Sequence, residues 1–358
     1  MITKKQQVIN HFDPNGVASQ GNIFGLPYDE ETASLIIVPV PWEVTVSYSH
    51  GTAKGPESVL NASAQVDLFQ DDIVDAWTMG IYMLPIPAEL ALSNSNHRKI
   101  ADDYIEWLEK GKQKEDNEKY LAVPDLVNKA CIKMNDWVYK TAKNYLNQGK
   151  LVALLGGDHS TPLGYIKALS EKYSSFGVLQ IDAHADLREA YENFEYSHAS
   201  ISHNFMKIPQ VEKLVQVGIR DYCEEESDRA KEDPRIHTFY DKDIKESMFE
   251  GATWRSICNQ IINSLPREVY ITIDIDGFDP KLCPNTGTPV PGGFDLEQIM
   301  YLMKLLVKSG KKIIGFDVVE VAPGEDGNEF DGNVGARVLY RMSNLLGVSQ
   351  NKLWWTEH

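Results

Sequence analysis

Six short apolar runs punctuate this chain, each with the length of a buried strand. They cover Leu35 to Val40, Leu151 to Leu155, Phe176 to Ile181, Lys213 to Val217, Val269 to Ile275 and Lys312 to Val319. Between them the period becomes helical. Val127, Ala130, Cys131, Met134, Val138, Ala142 and Tyr145 recur at helical spacing, and the pattern stops near Gly149. A further helix is predicted by Phe294 as a staple, Asp295 and Gln298 as a capping box, and Gly310 as the stop. Ser160-Thr161-Pro162 supplies a cap and a first-turn proline for a helix running towards Lys172. Strands that alternate with helices predict βαβ units, hence an α/β protein with a mostly parallel central sheet covered on both faces.

The segment from Leu92 to Val123 is polar and charge-rich, which predicts an insertion or an exposed helical excursion rather than a second domain. No internal repeat, low-complexity tract or linker interrupts the pattern. The expected organisation is one domain over residues 35–358, with a polar insertion around 92–123, preceded by an N-terminal extension over 1–34.

Composition narrows the partners. A formal net charge of −17 argues against nucleic acid, whose phosphates need a basic surface. Acidity serves solubility first and steers a cationic ligand second. No apolar run approaches the roughly 20 residues that span a bilayer. The two lysines near the start have no apolar stretch behind them, so no signal peptide is expected. Cys131, Cys223, Cys258 and Cys283 are scattered and read as reduced thiols, so the expected location is the cytoplasm.

The candidate chemistry lies where the strands end. Asp158 and His159 follow the strand that ends at Leu155, through Gly156-Gly157. Asp182, His184 and Asp186 follow the strand that ends at Ile181. Asp274 and Asp276 close the strand that starts at Val269, and Glu320 lies at the end of the strand from Lys312. In an open parallel sheet, ligands gather beyond the carboxyl ends of the strands. Along an extended segment Asp182, His184 and Asp186 would point the same way, as would Asp274 and Asp276. Taken singly, Gly-Gly-Asp-His-Ser reads as a turn with a helix cap, and Asp-Ile-Asp-Gly-Phe-Asp-Pro as a turn or a calcium-like loop without the EF-hand glutamate. Taken together, so many acids repel one another unless cations neutralise them. Four carboxylates and two imidazoles suit manganese, with nickel, iron or cobalt as alternatives and zinc less well. Bridging carboxylates let six ligands hold two ions roughly 3.5–4 Å apart.

These segments resemble the ureohydrolases, the family of arginase, agmatinase and formimidoylglutamase. The resemblance runs from about Ile36 to the C-terminal helix and extends to Pro41-Trp-Glu-Val-Thr-Val-Ser-Tyr, Gly55-Pro-Glu-Ser, Thr286-Gly-Thr-Pro-Val-Pro-Gly-Gly and Gly315-Phe-Asp-Val-Val-Glu-Val-Ala-Pro. It implies a three-layer α/β/α fold, assembled as homo-trimers or hexamers. It implies that His159, Asp182, Asp186 and Asp274 hold one divalent ion, Mn(2+) or alternatively Ni(2+), and that Asp182, His184, Asp274 and Asp276 hold the other. It further implies that Asp186 aims a shared water at the substrate, that Glu320 binds the guanidinium nitrogens and that His198 moves protons. A loop histidine without function is the competing reading of His198, and His203 competes for its role without motif support.

The run from Asp182 to Arg188 followed by Tyr196-Ser-His-Ala is closer to agmatinase-type members than to arginase, which implies hydrolysis of agmatine to putrescine and urea. Guanidinobutyrate, free guanidine, arginine and formimidoylglutamate remain alternative substrates. Arg188 either meets a substrate carboxylate or pairs with an acid such as Glu189. Outside this class stand a one-zinc deacetylase and a non-catalytic metal-binding regulator, against which the six intact ligand positions argue. Thr272, Asn285 and His50 are local departures from the family pattern.

Overall fold

A computed structural model describes residues 2–19, 21–111, 118–324 and 327–357. Its strands are β1 (Leu35–Val40), β2 (Ile81–Met83), β3 (Leu151–Gly156), β4 (Phe176–Ile181), β5 (Val211–Ile219), β6 (Ile236–Tyr240), β7 (Glu268–Asp274) and β8 (Lys312–Val319). The α-helices are α1 (Lys4–His11), α2 (Gly55–Ser63), α3 (Ala88–Glu109), α4 (Glu118–Leu121), α5 (Val123–Asn147), α6 (Leu163–Ser170), α7 (Ile201–Phe205), α8 (Glu224–Glu232), α9 (Asp241–Phe249), α10 (Trp254–Asn263), α11 (Leu296–Lys308) and α12 (Phe330–Ser349).

All eight strands form one sheet in the order β2-β1-β3-β8-β7-β4-β5-β6, and every pairing is parallel. Helix α12 with α2 and α11 covers β3 and β8, while α5 with α3 and α6 covers β1 and β3. This is the three-layer arrangement, and it explains the apolar runs: all six residues of β1 and of β4 are buried, as strands covered on both faces require. Among the described residues no helix is long and apolar enough to cross a membrane.

Local signals set several element ends. Helix α5 buries all seven residues of the predicted helical stripe. Helix α11 starts at the predicted capping box, where the Asp295 N–H donates to Gln298 Oε1 at 2.9 Å. Helix α6 starts only at Leu163 and ends at Ser170, short of Lys172. Its intended cap is engaged elsewhere, because the hydroxyl and N–H of Ser160 both donate to Asp158 Oδ1. Strand β7 stops at Asp274, since Ile275–Gly277 coil into a short 3-10 turn.

Two regions pack onto the body more closely than an insertion and an extension would. In α3, Asn94, Arg98, Ala101, Tyr104, Ile105 and Trp107 are buried, so the first part of the 92–123 segment packs onto the body instead of standing in solvent. Its centre, residues 112–117, lies outside the described residues. Near the N-terminus, Ile23, Phe24 and Leu26 are buried, and the Phe24 ring sits 4.9 Å from that of Tyr340.

The four central strands, β3, β8, β7 and β4, end on one edge. A close approach there requires glycine: a Cβ on Gly157 would lie 1.9 Å from the Trp42 carbonyl oxygen. With glycine, the Gly157 N–H donates to Val40 O and the Asp158 N–H to Trp42 O, each at 2.8 Å, which docks the loop after β1 against the end of β3.

Candidate functional site

Six of the sequence-predicted residues meet at this edge. His159 Nδ1 lies 3.0 Å from Asp182 Oδ2, 3.1 Å from Asp186 Oδ2 and 3.3 Å from Asp274 Oδ2. His184 Nδ1 lies 3.0 Å from Asp276 Oδ2 and 3.7 Å from Asp182 Oδ1. Two groups of ligand atoms are compact enough to hold a cation: His159, Asp182 and Asp274, and Asp182, His184 and Asp276. Asp182 belongs to both. The four aspartates and His159 are buried, and His184 is partly open.

The convergence does not come from simple strand alternation. Asp186 has φ +54° and Glu320 has φ +63°, left-handed conformations that non-glycine residues hold only where the surroundings enforce them. Asp276 reaches the site from the 3-10 turn. Each turn is pinned by its own carboxylates. Asp182 Oδ1 accepts from the His184 N–H at 2.6 Å and Asp274 Oδ1 from the Asp276 N–H at 2.8 Å. Asp276 Oδ1 accepts from the Ala183 N–H at 3.0 Å, linking the β4 and β7 ends. Gln180 Nε2 donates to Asp182 Oδ2 at 2.7 Å.

Behind His159 stands a relay that the sequence reading did not assign. His159 Nε2 lies 2.8 Å from Thr272 Oγ1, whose hydroxyl donates to Asp317 Oδ1 at 2.8 Å. The Tyr270 hydroxyl donates to Asp317 Oδ2 at 2.6 Å. Because Thr272 gives its proton to Asp317, it accepts from Nε2–H, which leaves the Nδ1 lone pair facing the carboxylates. An acid inside the otherwise apolar β8 was the available signal for Asp317.

The electrostatics identify what fits between these groups. Burial, and then the charge of Asp182, raises the Asp186 carboxyl to about 7. Burial with Asp276 and Asp182 raises Asp274 well above the carboxylate range, and burial with Asp274 and Asp158 does the same to Glu320. For Asp182 burial acts in the same direction, but contacts to His159 and His184 outweigh it and lower its pKa. Buried acids that obstruct one another's ionisation around a buried imidazole nitrogen without a hydrogen-bond partner are the donor set of hard divalent cations.

The cluster opens into a cavity of about 160 Å³, whose lining includes Glu320, His198, Arg188, Tyr191, Asp221 and Tyr222. Glu320 Oε1 accepts from the His159 N–H at 2.8 Å. The His198 N–H donates to Thr45 Oγ1 at 3.2 Å. Burial, and then the neighbouring His184, Arg98 and His159, lower the His198 imidazole to about 3. His203 does not line this cavity; its Nδ1 meets Arg229 instead. Arg188 pairs with Glu226, not Glu189, at 3.5 Å and lies over the Tyr191 ring at 4.8 Å. A larger groove of about 1,070 Å³, between residues 66–72 and helices α11 and α12, contains none of the six clustered residues.

The chain is similar to known proteins over most of its length. A sequence model of the Arginase family matches residues 33–344. The N(1)-aminopropylagmatine ureohydrolase of Synechocystis sp. is 30% identical over 326 residues, which cover 89% of this chain and 91% of that protein. The agmatinase of Neisseria meningitidis serogroup A is 28% identical over 332 residues, 91% of each chain. Among solved structures, the agmatine ureohydrolase of Thermoplasma volcanium superposes with a TM-score of 0.68 over 97% of this chain and 99% of that one, at 21% identity. Arginase from Bacillus subtilis gives a TM-score of 0.63 over 88% and 98%, at 19% identity. These two structures share the fold.

Proposed function

We propose that this chain, which belongs to the arginase family, hydrolyses the guanidinium group of agmatine with two divalent cations, giving putrescine and urea. The observation that carries the reading is one cavity in which Glu320 and His198 face a cluster of two imidazoles and four carboxylates. His159, Asp182, Asp186 and Asp274 would hold one ion and Asp182, His184, Asp274 and Asp276 the other, Mn(2+) first and Ni(2+) second. When bound, such ions lower the pKa of a shared water and stabilise negative charge as it develops.

The protein groups do the rest. Glu320 offers a carboxylate to the planar donors of the guanidinium, the pairing that suits both partners best. Asp186 accepts a hydrogen bond from the attacking water and aims it at the guanidinium carbon. Attack passes a proton of the water to Asp186 and yields a tetrahedral intermediate; that proton reaches the leaving nitrogen with His198 as its relay, the C–N bond breaks, and an amine and urea remain.

The cavity mouth favours a cationic tail on the substrate. The Asp221 side chain is 68% exposed there, 3.9 Å from His184 Nε2, while Arg188 is engaged by Glu226 and Tyr191. This supports agmatine over guanidinobutyrate or formimidoylglutamate. The same open carboxylate favours a second reading, the longer polyamine N(1)-aminopropylagmatine, the substrate named for the Synechocystis relative. We assign the cytoplasm as the location and a homo-trimer or hexamer as the assembly, on a single domain over residues 35–358.

Urea release by manganese- and nickel-loaded protein tests the reading across agmatine, N(1)-aminopropylagmatine, arginine, guanidinobutyrate and guanidine. The expected result is turnover concentrated on agmatine or its aminopropyl derivative. Silence across the panel with two ions bound per chain would overturn it, and one zinc per chain would point to a deacetylase.

A further inference from the structure

The loop from Trp42 to His50 runs between the cavity and helix α3, and α3 holds it at two places. Asn94 Oδ1 accepts from the Glu43 N–H at 2.7 Å. Arg98, only 7% exposed, donates through one guanidinium nitrogen to the carbonyls of both Val44 and Val46, the former at 3.1 Å. Its other terminal nitrogen lies 3.0 Å from His50 Nδ1 and 2.6 Å from Asp102 Oδ1. The two carbonyls flank Thr45, which is fully buried. Thr45 Oγ1 accepts from the His198 N–H at 3.2 Å and lies 3.5 Å from His198 Nδ1, which Ser197 Oγ approaches to 3.4 Å.

We infer that Arg98 is a positioning residue: from α3 it fixes the backbone on both sides of Thr45, and Thr45 sets the place and ring orientation of His198. The inference rests on the reading of His198 as the group that relays the proton. Having accepted the backbone N–H, the Thr45 hydroxyl still has its single proton to offer Nδ1, and the inference assigns it there, with the ring proton on Nε2. A guanidinium is suited to this task because its rigid fork grips several acceptors at once, whereas an ammonium is a single point on a flexible stem. Burial of the ion opposes its charge and pulls the Arg98 pKa down, and its Nε has no hydrogen-bond partner. An apolar side chain would stabilise the fold at least as well. What the ion adds is geometry. The polar segment around 92–123 thereby acquires a role, since its first helix supports the wall of the reaction cavity from outside.

The test uses the full-length, metal-loaded protein with Arg98→Lys, Thr45→Val, Thr45→Ser and the Arg98→Lys/Thr45→Val double variant. Metal content, kcat and KM are measured, together with 15N-histidine NMR of the ring, assigned through His198→Asn. The expected result is unchanged metal content, KM within about twofold, and a kcat loss of about tenfold or more in both Arg98→Lys and Thr45→Val. Thr45→Ser, which keeps the hydroxyl, stays within about twofold, and the double variant falls no further than Thr45→Val. The His198 nitrogen shifts move from one tautomer towards a mixture in Arg98→Lys. An unchanged kcat with unchanged nitrogen shifts in Arg98→Lys, or losses that multiply in the double variant, would overturn the inference. If Arg98→Lys does not fold, Arg98→Gln, which can reach only one carbonyl, is read by the same criteria. If the wild type hydrolyses no guanidino compound, the functional reading fails, while the nitrogen shifts still decide whether Arg98 sets the ring.

Discussion

The backbone N–H of His159 donates to Glu320 Oε1 at 2.8 Å, so a candidate metal ligand and the candidate guanidinium-binding acid hold each other through the main chain. Glu320 is fixed further by its own N–H, which donates to Gly157 O at 2.7 Å, and by the Thr286 hydroxyl, which donates to Glu320 O at 2.8 Å. Its place therefore does not depend on its charge. Glu320→Gln keeps an oxygen for the His159 N–H but loses the carboxylate. The expected outcome is two ions per chain, as in the wild type, with kcat/KM reduced by about 10²-fold or more. Elemental analysis beside a urea assay checks both, and near-normal turnover would remove Glu320 from substrate binding.

Asp182 lies within reach of both imidazoles, whereas His184 serves one cluster. Asp182→Ala should reduce bound metal from two equivalents to near none, and on the proposed ligand sets Asp274→Ala should do the same. His184→Ala should retain one equivalent. Equal losses in Asp182→Ala and His184→Ala, read by equilibrium dialysis, would show that the two positions are not independent.

Thr272 transmits the hold of Asp317 on His159. Thr272→Val breaks that relay while leaving every ligand in place, and should weaken metal affinity by about 10- to 100-fold. Thr272→Ser should bind metal as the wild type does. Competition with a chelator of known affinity measures the difference, and equal affinity in all three proteins would make Thr272 a packing residue only.

Glu192 sits at φ +53° with one buried carboxyl oxygen lacking a partner. Burial, and then Glu109, raise its pKa to about 7. A raised folded-state pKa favours the fold while the group is protonated, so its contribution is present below about 4.5 and is lost as pH rises through about 7. Glu192→Gln, permanently neutral, should gain Tm relative to the wild type as pH goes from 5 to 8. A Tm difference that does not change with pH would refute the assignment.

For His203 the sign reverses. Burial, with Lys207 and Arg229 nearby, lowers it to about 4, so its contribution is full above about 6.5 and declines as pH falls towards about 4. His203→Asn should leave turnover unaltered and make thermal stability less sensitive to pH between 7 and 5. A large loss of turnover would instead return His203 to the proton-transfer role.

What the sequence displayed, and what it hid, follows from sheet position. Strands β1, β3, β4, β5, β7 and β8 are interior and read as mainly apolar runs. The edge strands β2 and β6 escaped notice: one has three residues, and the other, Ile-His-Thr-Phe-Tyr, mixes polar and apolar side chains. The clustered acids were legible because strand ends are local in sequence. Strand alternation was the wrong reason for their convergence, since Asp186 turns through a left-handed residue and Asp276 through a 3-10 turn. The links from Arg98 to Val44 and Val46, and from Thr45 to His198, join residues 52 to 153 positions apart, and no periodicity reports contacts of that range.

Strand β8 lies between β3 and β7 although it is the last of the eight to be synthesised. Until residues 312–319 leave the ribosome, the growing chain can build only two separate ribbons, β2-β1-β3 and β7-β4-β5-β6, each with an open edge. His159 belongs to the first ribbon, and the other five clustered residues to the second. The second ribbon alone carries the group Asp182, His184 and Asp276, while the group that includes His159 stays divided between the ribbons. Insertion of β8 joins the two ribbons and brings His159 to the other five residues, so the cluster is complete only when the whole sheet is.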